Sequence, residues 1–286
     1  MSSKTVTLQH PTGSSASIEL FGAHVSSWKA PDGVERLYMS RKTSLTGPAP
    51  IRGGIPICFP FFGPPPTADQ ASSDPLLAPH TAPELSNLTH GFVRTASWDL
   101  VSSTSTSATF SFPSSSVPST YGGLDIGYTV TLTEKGLKTE LSATSKERIK
   151  VKMAFHTYHA VSDSDKSEIE GISPGLKTKN NLAGGAESIW QGGKIGMKNE
   201  IATVALGAAG EELILHDGPS NVAISSSGLP DVLLWNPKDK AGTSVWSDME
   251  VGDAKRFTCV EPAIIEEWKV LEPGEKFIAS QALSVL

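Results

Sequence analysis

Cysteine is nearly absent from this chain: 286 residues hold only Cys58 and Cys259. Two cysteines cannot build a disulfide framework, and their scarcity suits a reducing compartment. Neither has a second cysteine or histidine at metal-ligand spacing beside it, so no metal centre is expected. Positive charge is also in deficit, with 24 Lys and Arg against 30 Asp and Glu, a formal charge of −6 and a pI near 5.7. That balance argues against a general nucleic-acid or membrane-surface binder and leaves an anionic ligand only through a local positive site. Long apolar runs are missing. Nothing approaches the ~18 residues of a membrane helix, and residues 1–9 lack the apolar core of a signal peptide. The expectation is a soluble, cytosolic protein. Helical periodicity is scarce too, which turns attention to strands.

Hydrophobic residues make up 38% of the chain, enough for a core. Short strand-like runs at 5–9, 16–21, 23–29 and 36–40 are split by Pro-Thr-Gly and Pro-Asp-Gly turns, the spacing of a sandwich or barrel. Residues 128–133 and 137–144 alternate across Glu134-Lys135-Gly136 and read as a hairpin. Further strands are expected at 96–101, 108–112, 201–206, 212–216, 221–226, 231–235 and 256–260, with 264–270 and 276–283 as a closing hairpin. Residues 168–190 are ambiguous. The Pro-, Gly- and Ser-rich segment 41–89 carries little strand signal. Its middle, 64–88, is expected to be its least ordered part, because loops this long are functional or disordered.

Three places carry candidate chemistry. Ile51-Arg52-Gly53-Gly54-Ile55-Pro56-Ile57-Cys58-Phe59-Pro60-Phe61-Phe62-Gly63 presents one charge in a rigid apolar run. Arg52 is either an anion holder, since a guanidinium is a planar and permanently charged fork, or a loop arginine paired with a carboxylate. Residues 149–161 read as one long strand with Val151, Met153 and Phe155 on one face and Lys152, Ala154, His156 and Tyr158 on the other. His156 thus lies opposite the core face, and His159 reads as structural. Glu261 ends an apolar strand, held extended by Pro262. Desolvation by Phe257, Cys259 and Val260 should raise its pKa. A glutamate paired with an arginine at a sheet end is the alternative.

The run 51–63 resembles the R-G-G-I-P-x-x-F/W-P-x-F-G signature of the hexose-6-phosphate mutarotases, or glucose-6-phosphate 1-epimerases, within the wider aldose 1-epimerase, galactose mutarotase-like group. His90-Gly91-Phe92-Val93-Arg94 resembles the H-G-F/L-A-R element of that group. Phe155-His156-Thr157-Tyr158 resembles its H-T/S-Y-F element, with His159 in place of the last Phe. Trp235-Asn236-Pro237 matches a W-N-P element, and Trp246-Ser247-Asp248-Met249 resembles an A-D-M stretch. These and the 259–262 stretch occur in the order expected across most of the chain.

The resemblance implies an all-β fold, one large antiparallel twisted β-super-sandwich over residues 1–286 with a sugar cleft. It implies interconversion of the anomers of a hexose 6-phosphate, with Glu261 as general base and His156 as general acid, and neither cofactor nor metal. Arg52 and Arg94 would hold the phosphate, and His90 and Asp248 would line the cleft. Glu187 stands where the family usually has a sugar-binding Asp in an Asp-Arg-Ile/Val-Tyr stretch. Thr89 stands where it often has Gln. The implied partner is a phosphosugar, the implied state a monomer. A free-aldose 1-epimerase and a non-catalytic phosphosugar-binding sandwich are the competing readings.

Overall fold

Residues Leu124–Leu132, LDIGYTVTL, bury every second side chain, as a strand with a side-chain period of two does when one face meets a core. Gly136–Ser145 pairs with it from Leu132↔Leu137 to Leu124↔Ser145, so the expected hairpin forms. It sits in a nine-stranded antiparallel sheet that runs from Ile195–Gly196 at one edge to Asp99–Ser103 at the other. This computed structural model describes residues 5–208, 210–218 and 220–286. The expectation for residues 1–9 therefore lies partly outside the described residues.

A second, eight-stranded sheet has the order Ala186–Ile189, Lys177–Asn180, Ile201–Ala205, Asp231–Asn236, Phe257–Ala263, Ala154–Phe155, Ile57–Cys58. Tyr158–Ala160 joins it by pairing with Phe257–Ala263. Thr5–Gln9, Ser15–Glu19 and His24–Lys29 form a separate three-stranded meander. All the pairings between these strands are antiparallel, and the architecture is the expected β-sandwich.

The core lies between the large sheets. Val130, Leu141 and Ala279 of one meet Ala205, Val232, Leu234 and Val260 of the other in one buried cluster. The strand Phe257–Ala263 is buried on both faces along its whole length. Its second face, with Phe257 and Cys259, packs with Tyr38, Tyr158, Ala241, Met249 and Ala254 in a separate cluster. Glu261 opens on that second face, away from the main core.

Two expectations are corrected. Residues 149–161 are not one strand but three short ones, Ile149–Val151, Ala154–Phe155 and Tyr158–Ala160. The breaks fall where the partner residue is proline: Lys152 N–H donates to Pro60 O and His156 N–H to Pro56 O in the register of Ala154↔Cys58, but neither proline has an N–H to donate back, so the ladder is incomplete at both places. Residues 264–270 and 276–283 do not form a hairpin. Lys276–Val285 instead pairs with Gly136–Ser145 and Val222–Ser227, while Lys269–Leu271 pairs with Ile149–Val151. Residues 64–88 are built of short helical turns. The helix Ala68–Ser73 has a Thr67/Gln70 capping box, and two 3-10 turns bury Leu77, His80 and Leu85.

Candidate active site

Register brings the acid and the base together. Ala154 pairs with Ala263, and Tyr158 pairs with Cys259. Midway between these pairs, His156 stands opposite Glu261, and residues directly opposed across two strands share a face. His156 Nδ1 lies 3.3 Å from Glu261 Oε1. The two are in contact but not aligned for a hydrogen bond, and neither they nor Glu261 Oε2 has another partner. The imidazole is fixed by ring packing, stacked on Tyr158 at 4.8 Å between centroids and edge-on to Trp235 at 5.5 Å.

Glycines shape the 51–63 run above this pair. Gly54 has φ of +59°, and a Cβ there would meet Val25 O at 2.2 Å, so only glycine lets the run sit this close to its neighbour. The run delivers Arg52, whose Nε donates to Asp248 Oδ2 at 2.8 Å and whose Nη1 donates to Tyr158 Oη at 2.7 Å. Its guanidinium also lies 5.1 Å from the centroid of the Trp246 ring, a cation–π distance. Gly91 permits a comparable close approach, because a Cβ there would meet Phe59 O at 1.8 Å. Beside it His90 has φ of +62°. Its Nδ1 accepts from Gly63 N–H at 3.1 Å, which fixes the ring as the Nε2–H tautomer. Arg94 follows, its Nη2 donating to Thr89 O at 2.9 Å and Thr89 Oγ1 at 3.1 Å, while its Nε is buried without a partner.

These side chains close a cavity of about 270 Å³ lined by Arg52, Thr89, His90, Arg94, His156 and Glu261, with Phe62, Leu233, Trp235 and Trp246 as apolar walls. That mixture of aromatic walls and a few convergent polar groups is typical of a small-molecule site. The field within it is uneven. Burial pushes the Glu261 carboxyl well above the ordinary carboxylate range, against a smaller pull from Arg52. Burial holds His156 well below the ordinary imidazole range, and His90, Arg52 and Arg94 add to it. His90 is lowered to about 3, by burial and then by Arg94 and Arg52. Arg94 is lowered, chiefly by burial. Burial works against Arg52 as well, but Tyr158 and Asp248 more than offset it. Both shifts favour the uncharged forms, a carboxylic acid and a neutral imidazole, beside two guanidiniums.

The match to the Aldose 1-epimerase family spans residues 4–284. The chain belongs to the aldose 1-epimerase family. It is 30% identical to a protein of Cenchrus ciliaris named "Putative glucose-6-phosphate 1-epimerase", over 95% of this chain and 81% of that one. A protein of the same name from Escherichia coli is 28% identical over 98% and 90% of the two chains. Among solved structures, a mutarotase-titled protein of Salmonella typhimurium (YeaD) superimposes with a TM-score of 0.81 at 23% identity, over 98% of this chain and 90% of that one. Membership makes this aldose 1-epimerase homologue an isomerase of the epimerase and mutarotase type. Among the described residues no helix is long and apolar enough to cross a membrane.

Within this aldose epimerase, the structure gathers Arg52, Thr89, His90, Arg94, His156 and Glu261 around one cavity. Glu187 is not brought there, and its expected place in the cleft is corrected. The register runs Glu187, Lys179, Val204, Leu233, Glu261 across the sheet, and four strand spacings amount to about 19 Å. Glu187 instead forms ion pairs with Lys177 at 3.0 Å and Lys179 at 3.3 Å. Asp248 is set back from the cavity and acts through Arg52, and Thr89 anchors Arg94 as well as facing the cavity. His159 is fully buried opposite Thr258 on the other face. Sequence reasoning did not assign Tyr158, Trp235, Trp246 or Phe62 to the site. All four lie inside the stretches that carried the family resemblance, which was the available signal.

Proposed function

We propose that this aldose 1-epimerase acts on hexose 6-phosphates, glucose 6-phosphate foremost, interconverting their α and β anomers. The observation that carries the reading is the pairing of Arg52 and Arg94 on the same small cavity as His156 and Glu261. A phosphate monoester carries about −1.5 to −2 charges at neutral pH; Asp248 balances part of the Arg52 charge, and Arg94, with no carboxylate partner among the described contacts, supplies the uncompensated one. Arg94 bonds only Thr89 and lines the cavity, so its guanidinium keeps donors that such an anion would satisfy. The names of the curated relatives agree with this substrate class.

The chemistry needs one proton donor and one proton acceptor. Transfer of the Glu261 proton across the 3.3 Å gap to His156 Nδ1 generates a carboxylate and an imidazolium. The carboxylate then takes the proton of the C1 hydroxyl as the imidazolium donates its Nε2 proton to the ring oxygen. The C1–O5 bond breaks, leaving the open-chain aldehyde with Glu261 protonated and His156 neutral. After rotation about C1–C2, attack by O5 on the other face returns the O5 proton to His156, and Glu261 protonates the former carbonyl oxygen. Ring opening consumes an ion pair in a buried site, so the low polarity that makes the pair costly favours the step. Each group working this way is worth about 10²–10⁴ in rate.

Anomer-exchange NMR on glucose 6-phosphate and glucose tests the proposal. Faster exchange for the phosphosugar, lost in Glu261→Gln, is the expected result. Equal acceleration of both sugars would favour a free-aldose enzyme. Binding of glucose 6-phosphate without acceleration would establish a non-catalytic binder.

A further inference from the structure

A third ligating atom sits beside the acid–base pair, and anomer exchange has no use for it. Cys259 lies two residues before Glu261 on the strand Phe257–Ala263, so the two side chains leave it on the same face. The Cys259 sulfur, a His156 ring nitrogen and a Glu261 oxygen all lie within 4.8 Å of one another, and all three residues are buried. His156 Nδ1 and both Glu261 oxygens lack hydrogen-bond partners, an expensive condition for buried polar atoms.

We propose that His156, Cys259 and Glu261 form a binding site for a thiophilic divalent transition metal, zinc foremost, whose occupancy stops the epimerase chemistry. Zinc takes Cys sulfur at about 2.3 Å, His nitrogen at about 2.0–2.1 Å and carboxylate oxygen at about 2.0–2.2 Å in a tetrahedron. Its ligand atoms consequently lie about 3.3–3.7 Å apart. The His156–Glu261 separation of 3.3 Å already meets that spacing, and the Cys259 sulfur, within 4.8 Å of both, has at most about 1–1.5 Å to close. The sulfur excludes magnesium and calcium, which prefer all-oxygen sites.

Charge balance points the same way. A dication with one thiolate and one carboxylate is neutral, which suits a buried position below Arg52. Binding releases the thiol proton and the Glu261 proton to solvent, and nothing is oxidised or reduced. Two of the three ligands, His156 and Glu261, also line the sugar cavity. The metal then occupies the His156 Nδ1 and Glu261 lone pairs between which the catalytic proton passes, so the metal is an inhibitor and not a cofactor.

The site rests on the proposed function only for its activity readout. The test titrates the metal-free full-length protein with Co²⁺ and then Zn²⁺. One equivalent of Co²⁺ should give the near-ultraviolet thiolate-to-cobalt absorption, which Zn²⁺ displaces. Saturating zinc should reduce glucose 6-phosphate anomer exchange at least tenfold, and a chelator should restore it. Loss of even an outer-shell partner costs on the order of 10–100-fold in metal affinity. Cys259→Ala, and Cys259→Ser should the first fold poorly, should lose the absorption and weaken binding by at least that factor, while Cys58→Ser keeps both. A folded wild type without the thiolate absorption, or one whose absorption survives the Cys259 substitutions, overturns the site. Cobalt binding through Cys259 in a protein inert toward glucose 6-phosphate would uphold the metal site and defeat the substrate reading. Turnover without cobalt binding would do the reverse.

Discussion

Replacing Arg94 by methionine separates a binding arginine from a structural one. Arg94 donates one nitrogen to Thr89 and leaves its Nε buried and unpartnered, and burial together with Arg52 disfavours its charge. Such a cation does not stabilise the free protein. Exchanging a poorly paired buried charge for an apolar side chain of similar length is commonly neutral or stabilising. Since Arg94 is only partly buried, a gain of up to about 1 kcal/mol is expected, a rise in Tm of roughly 2–4 °C. Binding should move the opposite way. One hydrogen bond to a charged group is worth about 1.5–3 kcal/mol, so affinity for glucose 6-phosphate should fall by about 10–150-fold. Glucose, without the phosphate, should be affected by less than about threefold. Calorimetry with both sugars in a Glu261→Gln background measures binding without turnover, and differential scanning calorimetry gives the Tm. A lower Tm with equal loss for both sugars would mean that Arg94 holds the loop and not the phosphate.

Glu261→Gln should cut anomer exchange by about 10²–10⁴ while leaving glucose 6-phosphate affinity within severalfold by calorimetry, because the amide keeps the shape. Asp248→Asn should lower kcat/KM for glucose 6-phosphate by about tenfold, the worth of one charged hydrogen bond, through the lost hold on Arg52 Nε, and steady-state assays on both sugars would show the phosphosugar hit harder. His80 should make stability pH-dependent. Its Nε2–H donates to Lys150 O and its Nδ1 accepts from Tyr121 O–H, and burial lowers it to about 4 from 6.5. Between those values the unfolded chain takes up a proton that the native state refuses, so stability falls as pH drops from about 6.5 to about 4, by about 3 kcal/mol. His24, His90 and His159, each lowered to about 3 chiefly by burial, act in the same direction. Urea unfolding of wild type and His80→Gln at pH 7.5 and 5 should show the gap between them narrowing at the lower pH, and a gap independent of pH would refute the linkage.

Period-two alternation was enough to put His156 on the face opposite Phe155, and the apolar flank of Glu261 was enough to anticipate its raised pKa. What the sequence did not disclose was register. His156 and Glu261 meet because 154 pairs with 263 and 158 with 259, a long-range fact absent from either stretch alone. The same blindness misplaced Glu187, whose neighbours Lys177 and Lys179 come from the adjacent strand. It also hid the approach of the Cys259 sulfur to His156, since spacing along one stretch says nothing of a side chain supplied across a sheet. The breaks in 149–161 escaped notice because they come from Pro56 and Pro60 on the partner run, which accept a bond but have no N–H to return, and not from any breaker residue in the segment. In 64–88 a local signal was present. Thr67 and Gln70 have the spacing of a capping box, and Leu77 and Leu85 supply buried anchors in place of aromatics.

A general base at Glu261 asks for a carboxylate and a general acid at His156 for a proton to give, whereas burial favours the uncharged form of each. A carboxylic acid beside a neutral imidazole holds the same single proton without separated charge. The cations come from the 51–63 run and the 90–94 element and line the same cavity as this pair. A phosphate on Arg52 and Arg94 removes two of the influences that depress His156, so an anionic substrate makes protonation of His156 easier when it binds. A neutral sugar fills the same cavity without that effect. Discrimination for a phosphosugar should therefore appear in kcat as well as in KM. A series of aldoses with and without the 6-phosphate, compared at saturation, measures the two separately. If the phosphate changes KM alone, Arg52 and Arg94 serve only as a handle, and the field they impose on His156 plays no part in turnover.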